Sequence, residues 1–372
     1  RQLPLGSTLA GRMTYSKTSN SVPMGTSELT TLGAFNPTNP DRAVFDGDIR
    51  HSTASLTLHS NPMRQLDTRA YWNWFNKDNR STRITFGASP ATHILDYRKN
   101  NLGLDVGYRI NPNHRIVVGA DYVNLHRNRV DYDQTEDRKA SIEYRNTMFD
   151  WASARLKYQY MQRRSHFLES AAGTGPADPN YLNRFIARFD ASNVDQNLVK
   201  AVFDIQLGEA WDLGIEGIFK QNDYKDTVLG RTKDDRQEIY LSLGWGDIQR
   251  FRVMVFADVE WIRYDAYHRN ISTVGAADAY DPNATPTNTN YNWGSTNKDR
   301  NYAVGLGADW KPGERWKLNS SLIWQRTRGA ADFSVQMGAN PAVPAVPITN
   351  YDNTRKVALN LRGTYSYSKE WD

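Results

Sequence analysis

Polar and apolar residues alternate along most of this chain with a period of two. In residues 151–163 the even-numbered positions from Ala152 to Tyr160 are apolar, and the odd-numbered positions between them are polar or charged. Residues 250–264 and 301–310 show the same alternation. Because successive side chains of a β-strand point to opposite faces, this pattern predicts strands with one apolar and one polar face.

Fourteen segments carry the pattern, and they are separated in strict alternation by short turns and long polar loops. The predicted strands lie at 7–18, 47–59, 64–76, 97–110, 115–127, 138–147, 151–163, 197–207, 211–224, 235–245, 250–264, 301–310, 316–327 and 354–367. The short turns include 111–114, 208–210, 246–249 and 311–314, and the long loops lie at 19–46, 77–96, 164–196, 265–299 and 328–353.

An even number of antiparallel strands, with short turns at one end and long loops at the other, is typical of bacterial outer-membrane barrels. The sequence therefore predicts an all-β fold, a transmembrane antiparallel up-and-down β-barrel of about fourteen strands. We expect it to form one domain over residues 1–372, with short periplasmic turns and long extracellular loops in the bacterial outer membrane.

A soluble β-sandwich or solenoid would give the same alternation, with the apolar face packed against a second sheet. The positions of aromatic and small residues favour the barrel instead. Aromatic residues lie at strand ends, as Trp211, Trp245, Trp310 and Trp316 beside short turns and Trp74, Trp261, Tyr264 and Trp324 beside long loops. This distribution predicts two interfacial girdles in contact with membrane lipid. Glycines are frequent on the polar face, as Gly103, Gly107, Gly305 and Gly307.

Composition narrows the function further. The net charge of +5, from 46 basic and 41 acidic residues, is spread along the chain, which argues against nucleic acid as a partner. The longest apolar run, 253–257, is far shorter than the ~18 residues of a membrane helix. The chain has no cysteine, so it has no thiolate metal site and no C-x-x-C-H attachment site for haem.

No catalytic constellation is present in the sequence, and we predict that the protein is not an enzyme. The seven histidines are dispersed without the spacing of a metal site, and neither a G-x-S-x-G elbow nor a phosphate-binding loop occurs. Asp131 and Asp133, with Glu136 and Asp137 nearby, offer hard oxygen ligands in a predicted loop and are weak candidates for Ca²⁺. A solvated loop is the simpler interpretation of these carboxylates, and we expect no cofactor on this chain.

The polar face carries charges of both signs and is the predicted lining of the lumen. Twelve residues are predicted to face the lumen or a partner within it, namely Arg155, Lys157, Lys200, Asp204, Glu216, Lys220, Glu238, Arg252, Asp258, Glu260, Lys317 and Arg362. Such side chains tune ion selectivity in a water-filled pore, and they form a contact surface in a filled one. The alternation fits either state.

Four stretches resemble the MtrB/PioB family of outer-membrane barrels. They are 156–165 (LKYQYMQRRS), 189–193 (FDASN), 218–240 (IFKQNDYKDTVLGRTKDDRQEIY) and 265–269 (DAYHR). The similarity is strongest over residues 150–270 and rests on an L-x-Y-x-Y-x-x-R strand end and a D-Y-x-D-T-x-L-G loop. These motifs are moderately specific together and weak singly.

The resemblance implies a structural role in electron transfer. Barrels of this family sheathe a periplasmic multihaem c-type cytochrome through the outer membrane, and an extracellular multihaem cytochrome often docks on the outer rim. The haem belongs to the partner, so the barrel itself is expected to hold none. The main alternative is an open diffusion porin for ions or small solutes.

Two features of the chain depart from the family. Some members carry an N-terminal cysteine pair, which this chain lacks. The family's barrels are also larger, because fourteen strands tilted by ~40° give a backbone diameter of ~28 Å and a lumen of ~15 Å, against ~50 Å for twenty-six strands. This lumen is narrow for a haem surrounded by polypeptide. We expect a slim insertion, additional strands or a longer barrel to which this chain belongs.

Overall fold

The computed structural model describes residues 4–25, 27–31, 34–38, 40–86, 92–247, 249–271, 279–284, 291–337 and 346–367. Within these residues the chain is almost entirely β-structure, with two short 3-10 helices, η1 (Glu169–Ala172) and η2 (Pro179–Phe185). The strands are β1 Thr8–Pro23, β2 Ser27–Thr31, β3 Ala34–Thr38, β4 Val44–Met63, β5 Leu66–Asn79, β6 Tyr97–Asn111, β7 His114–Arg127, β8 Tyr132–Phe149, β9 Ala152–Phe167, β10 Ile186–Ala187, β11 Val194–Leu207, β12 Trp211–Tyr224, β13 Leu229–Asp247, β14 Phe251–Asn270, β15 Tyr291–Trp310, β16 Trp316–Met337, β17 Val346–Asp352 and β18 Arg355–Tyr365. No helix among these residues is long and apolar enough to cross a membrane.

One sheet follows the chain from strand to strand. Its order is β1-β4-β5-β6-β7-β8-β9-β11-β12-β13-β14-β15-β16-β17, while β2 and β3 form a separate hairpin. β17 and β18 pair with different halves of β16, so together they fill one strand position. The described part of the chain therefore supplies fourteen strand positions, and each overlaps one of the fourteen predicted segments, with strand starts and ends that differ from the prediction by one or more residues. The all-β prediction is confirmed.

The described residues group into two compact units. The first comprises Arg1–Asp105, Ala120–Arg138 and Ser165–Leu168, and the second comprises Val106–Gly119, Lys139–Arg164 and Glu169–Asp372. The prediction of a single domain over residues 1–372 stays a prediction. All twelve residues predicted to face the lumen belong to the second unit.

Short turns in the second unit close by local polar contacts. The side chain of Asn111 accepts hydrogen bonds from the backbone N–H groups of Asn113 and His114, both at 2.9 Å, and so closes the turn between β6 and β7. Gly208, in the turn between β11 and β12, has a φ of +76°, a conformation that favours glycine. These positions agree with the predicted short turns.

The strands extend further at the predicted long-loop side than the alternation indicated. β14 continues to Asn270, β15 begins at Tyr291 and β16 continues to Met337, although loops were predicted at 265–299 and 328–353. The strict alternation of connection lengths is also wrong, because residues 128–131 and 225–228 make short connections where long loops were expected. Beyond the apolar band of β16 the positions with the parity of Leu322 become polar, as Arg328, Asp332 and Ser334, so the alternation changes while backbone hydrogen bonding continues. Residues 272–278, 285–290 and 338–345, for which loops were predicted, lie outside the described residues.

The apolar face of the second unit is exposed across neighbouring strands. Val255, Leu306, Leu322 and Leu359 are successive register partners on β14, β15, β16 and β18, and they are 45%, 47%, 45% and 63% exposed. A soluble sandwich would bury this row against a second sheet. A contiguous exposed apolar surface of this kind is typical of a membrane interface, so the sandwich interpretation is wrong.

An aromatic girdle follows the short-turn ends of β12, β13, β14, β15, β16 and β18 on the apolar face. Trp211 lies opposite Trp245 at a ring distance of 6.2 Å, and Trp316 lies opposite Tyr365 at 4.9 Å. Phe251 and Trp310 are register partners on β14 and β15, and they lie between these two aromatic pairs. This arrangement agrees with the girdle predicted beside the short turns.

The second predicted girdle needs one correction. Trp261 and Trp324 lie on the apolar face of the second unit, but Tyr264 has the parity of the polar face. There Tyr264 stacks under the guanidinium of Arg231, at 4.2 Å from the ring centroid. On β14 the apolar face runs from Phe251 to Trp261, a length of ~26 Å for a strand tilted by ~40°, which matches the apolar band of a barrel.

Candidate functional site

The strand register of the second unit brings the predicted lumen residues onto one face of the sheet. One cross-strand row runs through Arg155, Val202, Glu216, Tyr240 and Asp258. The adjacent row on the same face lies two residues further along each strand and contains Lys157, Lys200, Ile218, Glu238 and Glu260. The remaining members, Asp204, Lys220, Arg252, Lys317 and Arg362, have the same parity on their strands. Whether this face contacts a partner stays a prediction.

Several charges on this face form ion pairs between strands. Lys200 Nζ lies 2.6 Å from Glu216 Oε1, and Arg252 Nη2 donates to both carboxylate oxygens of Asp212 at 2.8 and 2.7 Å. Arg155 lies 3.9 Å from Asp204. These groups remain partly exposed, and exposed ion pairs contribute little to stability. Their main effect is to fix the positions of the charges.

Carboxylates concentrate where β13 and β14 meet. Glu238 and Glu260 are direct register partners, and Arg236 pairs with both of them. Glu260 also accepts a hydrogen bond of 2.7 Å from the side-chain amide of Asn301. One oxygen of Asp258 is buried without a hydrogen-bond partner among the described residues. This part of the polar face is therefore acidic, and its carboxylate oxygens have only some of their hydrogen-bond partners among the described residues.

On the same polar face, some cations lie directly opposite cations of the neighbouring strand. Lys157 is the direct register partner of Lys200, and Lys220 is the partner of Arg236. Within the described part of the chain, Lys157 and Lys220 make no ion pair, and the same holds for Lys317 and Arg362. Like charges directly opposite each other destabilise a sheet. Glu216 offsets the charge of Lys200, and Glu238 and Glu260 offset that of Arg236, so Lys157 and Lys220 are the members of these pairs that could take an anion from outside the chain.

Glycines let long side chains lie flat on the polar face. A Cβ added to Gly244 would come within 2.8 Å of both Asp212 and Arg252, because their ion pair lies across this residue. A Cβ added to Gly305 would overlap the ring of Phe256. The sequence indicated small residues on this face, but only the register shows which side chains cover them.

The two calcium candidates are occupied by other contacts. Arg129 pairs with both oxygens of Asp131, at 3.0 Å for Nη2 to Oδ2, and His166 Nδ1 lies 2.7 Å from Asp133. Asp133 lies on β8 and not in a loop as expected, because β8 begins at Tyr132. Among the described residues no three histidine or carboxylate side chains are placed to share a metal ion. Calcium binding stays an untested prediction.

Contacts at Asp131 also decide its protonation. Burial opposes the ionised form, but the hydrogen bond and charge of Arg129, with the backbone N–H of Tyr132, outweigh burial. The pKa of the Asp131 carboxyl therefore lies below its usual value. This aspartate is ionised at neutral pH and anchors the turn between β7 and β8.

Sequence reasoning missed one element of the site. The segment between β9 and β11 was expected to be a polar loop, but η1, η2 and β10 give it regular structure, and Ala187 of β10 packs with Met161, Val194 and Tyr224. These three residues have polar-face parity. The only sequence signal was the D-Y-x-D-T-x-L-G loop at 223–230, which contains Tyr224, Leu229 and Gly230.

The meandering sheet, the exposed apolar face and the aromatic girdle define a transmembrane β-barrel of the outer-membrane type. The chain belongs to the MtrB/PioB family of outer membrane β-barrel porins, whose model matches residues 2–372. The family resemblance seen in the sequence is confirmed, and the protein is an outer-membrane barrel.

Comparison with solved structures finds other outer-membrane proteins at low similarity. In-vitro folded OmpT of Vibrio cholerae, in its trimer form, is 8% identical with a TM-score of 0.35, covering 97% of this chain and 99% of that one. The siderophore receptor PirA of Pseudomonas aeruginosa is 9% identical with a TM-score of 0.34, covering 96% of this chain and 79% of that one. The copper transporter OprC is 11% identical with a TM-score of 0.37, covering 97% and 72%. The comparison with curated proteins finds no match.

Proposed function

We propose that this barrel sheathes a periplasmic multihaem c-type cytochrome and so forms a porin-cytochrome conduit for electron transfer across the outer membrane. The cytochrome carries the haem groups, and an extracellular multihaem cytochrome docks at the outer rim. The barrel contributes no cofactor and no catalysis. It separates the haem-bearing polypeptide from lipid and holds it in place.

Family membership over the whole chain supports this role, and the like-charge pairs on the polar face carry it at the level of residues. Lys157 against Lys200, and Lys220 against Arg236, place cations together in the second unit. Glu238 and Glu260 place carboxylates together on the same face. Lys200 and Arg236 already pair with carboxylates of this chain, so a polypeptide with acidic side chains would pair with Lys157 and Lys220. Electrostatic complementarity of this kind selects a partner and its register.

Without the barrel, the haem-bearing polypeptide would be in direct contact with lipid. Charged groups and unpaired backbone amides carry a large free-energy cost in hydrocarbon. The sheet solves this problem with two faces, since its exposed leucines and valines contact acyl chains while its charged face contacts the partner. The alternation of apolar and polar side chains is therefore sufficient for this role, and no catalytic group is needed.

The decisive experiment is a visible absorption spectrum of the protein purified in mild detergent from its native membrane, with every polypeptide in the peak identified by mass. We expect a Soret band that follows the barrel at a fixed ratio to one multihaem polypeptide. A colourless peak containing this chain alone, in each of several detergents, would contradict the conduit.

An open diffusion porin is the second candidate, and the strand count favours it. Fourteen strand positions among the described residues correspond to a lumen of ~15 Å, which suits hydrated ions and small solutes. This function predicts steady single-channel conductance from the chain alone in a planar bilayer. Conductance from the colourless protein, together with absence of a cytochrome, would establish it.

A further inference from the structure

Four arginines form a cluster on the lipid-facing side of the second unit, toward the long-loop ends of the strands. Arg300 of β15 is the direct register partner of Arg328 of β16, and Arg326 of β16 is the partner of Arg355 of β18. Both arginines of β16 have the parity of Leu322 on the apolar face. Register partners point to the same side of a sheet, so the whole arginine cluster shares the face that contacts lipid.

The arginine cluster lies at the level of the aromatic girdle on the long-loop side and just beyond it. On β16, Arg326 and Arg328 follow Trp324, and on β15 Arg300 is the register partner of Trp261. Two strand residues advance ~5 Å along the membrane normal for a strand tilted by ~40°, so the cluster lies within ~10 Å of the girdle. Girdle aromatics mark the membrane–water interface, and the long loops of such barrels are extracellular. The cluster is therefore at the depth of the outer-leaflet headgroups.

Carboxylates of this chain do not neutralise the arginine cluster. Among the described residues none of its four members makes an ion pair. Neighbouring cations on the same face do: Lys298 Nζ lies 3.0 Å from Asp332 Oδ2, and Arg263 Nη2 lies 3.8 Å from Asp265 Oδ1. The positive charge of this surface is thus concentrated in the four arginines.

Repulsion within the arginine cluster has an energetic cost. Each of its two register pairs places positive charges directly opposite each other, and this arrangement destabilises a sheet. The charges of Arg328 and Arg355 both act on Arg326. Arg326 Nη2 donates to the side-chain oxygen of Asn353 at 3.2 Å, but a neutral oxygen does not cancel the charge. An anion bound between the strands would replace this repulsion with attraction.

Phosphate is the anion that matches this arrangement. The planar guanidinium group donates parallel hydrogen bonds to two oxygens of one phosphate, a geometry that lysine cannot provide. Opposed arginines on strands ~4.8 Å apart are close enough to share a phosphate group. Long arginine side chains also lie along apolar surface while the charged group reaches the interface. The two register pairs therefore offer two positions for phosphate.

We propose that the arginine cluster binds the phosphate groups of a glycolipid in the outer leaflet of the membrane. The apolar row through Leu322 and Leu359 continues directly from the cluster toward the membrane centre, and it contacts the acyl chains of the same lipid. One phosphorylated lipid thus satisfies both the charges and the apolar face. The site lies on the outside of the barrel, so it depends neither on the cytochrome nor on the state of the lumen.

Arg300→Gln combined with Arg328→Gln tests the proposal, because it removes one opposed pair without adding bulk. Arg250→Gln combined with Arg315→Gln is the matched control, since it removes two exposed arginines in the short turns at the other end of the strands. Each full-length protein is purified in a neutral maltoside detergent, and circular dichroism verifies its sheet. Binding of lipid A, a doubly phosphorylated glycolipid, is then titrated beside dephosphorylated lipid A and inorganic phosphate.

The parent and the control should bind lipid A equally, and Arg300→Gln/Arg328→Gln should bind it about tenfold more weakly. In lipid-free detergent this variant should unfold at the same temperature as the parent or a higher one, because the repulsion is gone. Arg326→Gln combined with Arg355→Gln repeats the test on the second pair, so the proposal stays testable if one variant fails to fold.

Equal affinity of the cluster variants and the control would overturn the proposal, as would equal binding of dephosphorylated lipid A. Displacement of lipid A by millimolar inorganic phosphate would assign the cluster to a free anion instead. Loss of an extracellular cytochrome from the cluster variants, with lipid binding unchanged, would assign it to a protein partner. The titrations use the barrel alone, so their failure is distinct from failure of the conduit.

Discussion

At the scale of single residues, the position of a side chain relative to the two faces decides the effect of a substitution. Leu156 and Lys157 are neighbours on β9, but Leu156 is 54% exposed on the apolar face and Lys157 lies on the charged face. A charge at the first position must enter lipid, whereas a charge at the second is already native. The face on which a residue lies, more than its residue type, therefore predicts the effect of a substitution on stability.

Leu156→Arg is expected to destabilise the folded barrel by about 2–4 kcal/mol, because it places a guanidinium on the lipid-facing side near a strand centre. Urea unfolding in lipid vesicles measures this change. Gln159→Arg is the matched control, since it adds the same group to the polar face of the same strand and should leave the unfolding midpoint close to that of the parent. Equal midpoints for both variants would contradict the assignment of the faces.

Asp131 gives a pH dependence at the turn between β7 and β8. Its pKa is lowered in the folded protein, so its stabilising contribution is complete above the usual value of 3.8 and is lost as the pH falls through the lowered value. Protection of the Tyr132 amide, which donates to Asp131 Oδ1 at 2.9 Å, should stay constant from neutral pH to about 4 and fall below it. Hydrogen exchange, corrected for the intrinsic rate, measures this protection.

Asp131→Asn provides the control for that titration. The amide cannot ionise, so protection of Tyr132 should be lower than in the parent at neutral pH and should lose its acid transition. A transition that persists in Asp131→Asn would assign the pH dependence to another group.

At the scale of elements, the connection between β12 and β13 leads into the strand edge with which β10 pairs. Its short length contradicts the predicted alternation of loop lengths, and residues 225–228 lead directly into the part of β13 that pairs with β10. Asp226 adopts a positive φ of 61° there and accepts the hydrogen bond from Asn193. A direct hydrogen bond thus connects the turn with the segment that precedes β11.

Gly230→Ala is expected to weaken docking of β10 by about 1–3 kcal/mol through backbone strain and the close approach of Ala187 O. Trypsin should then cleave after Arg184 and Arg188 several times faster than in the parent, while the main sheet stays folded by circular dichroism. Gly217→Ala is the control, since Gly217 lies on the apolar face with no neighbour within 4 Å of an added Cβ. Equal cleavage of the two variants would show that β10 does not depend on Gly230.

At the scale of the whole molecule, the conduit needs a barrel whose charged face is complementary to its cargo. Lys157→Glu should spare folding, because the new carboxylate faces Lys200, but it should reduce the amount of cytochrome that remains bound through washing at moderate salt. The haem-to-barrel ratio after detergent purification measures retention. Lys311→Glu, in the turn between β15 and β16, makes the same charge change away from this face and should retain the partner.

Retention that survives Lys157→Glu and further reversals at Lys220 and Arg155 would count against a filled lumen. It would favour the open diffusion porin instead. The two functions thus differ in the result of one purification, and both are compatible with the same sheet.

The alternation of the sequence determined the strands and their faces because side-chain direction along a strand has a fixed period of two. For this reason the fourteen segments, the twelve charged positions of one face and the girdle tryptophans could be assigned without coordinates. The family motifs supplied the family in the same way, since they depend only on residue identity and spacing.

Tertiary structure decided what depends on distant parts of the chain meeting. Strand ends beyond the apolar band follow backbone pairing, which polar side chains do not report, so β14, β15 and β16 are longer than the pattern indicated. Cross-strand partners such as Lys157 and Lys200 follow from register, and the pairing of β10 with β13 follows from a free strand edge at Gly230. The sequence by itself determined which face each residue occupies, whereas only the tertiary structure decided what lies over that face, because period is local and contact is not.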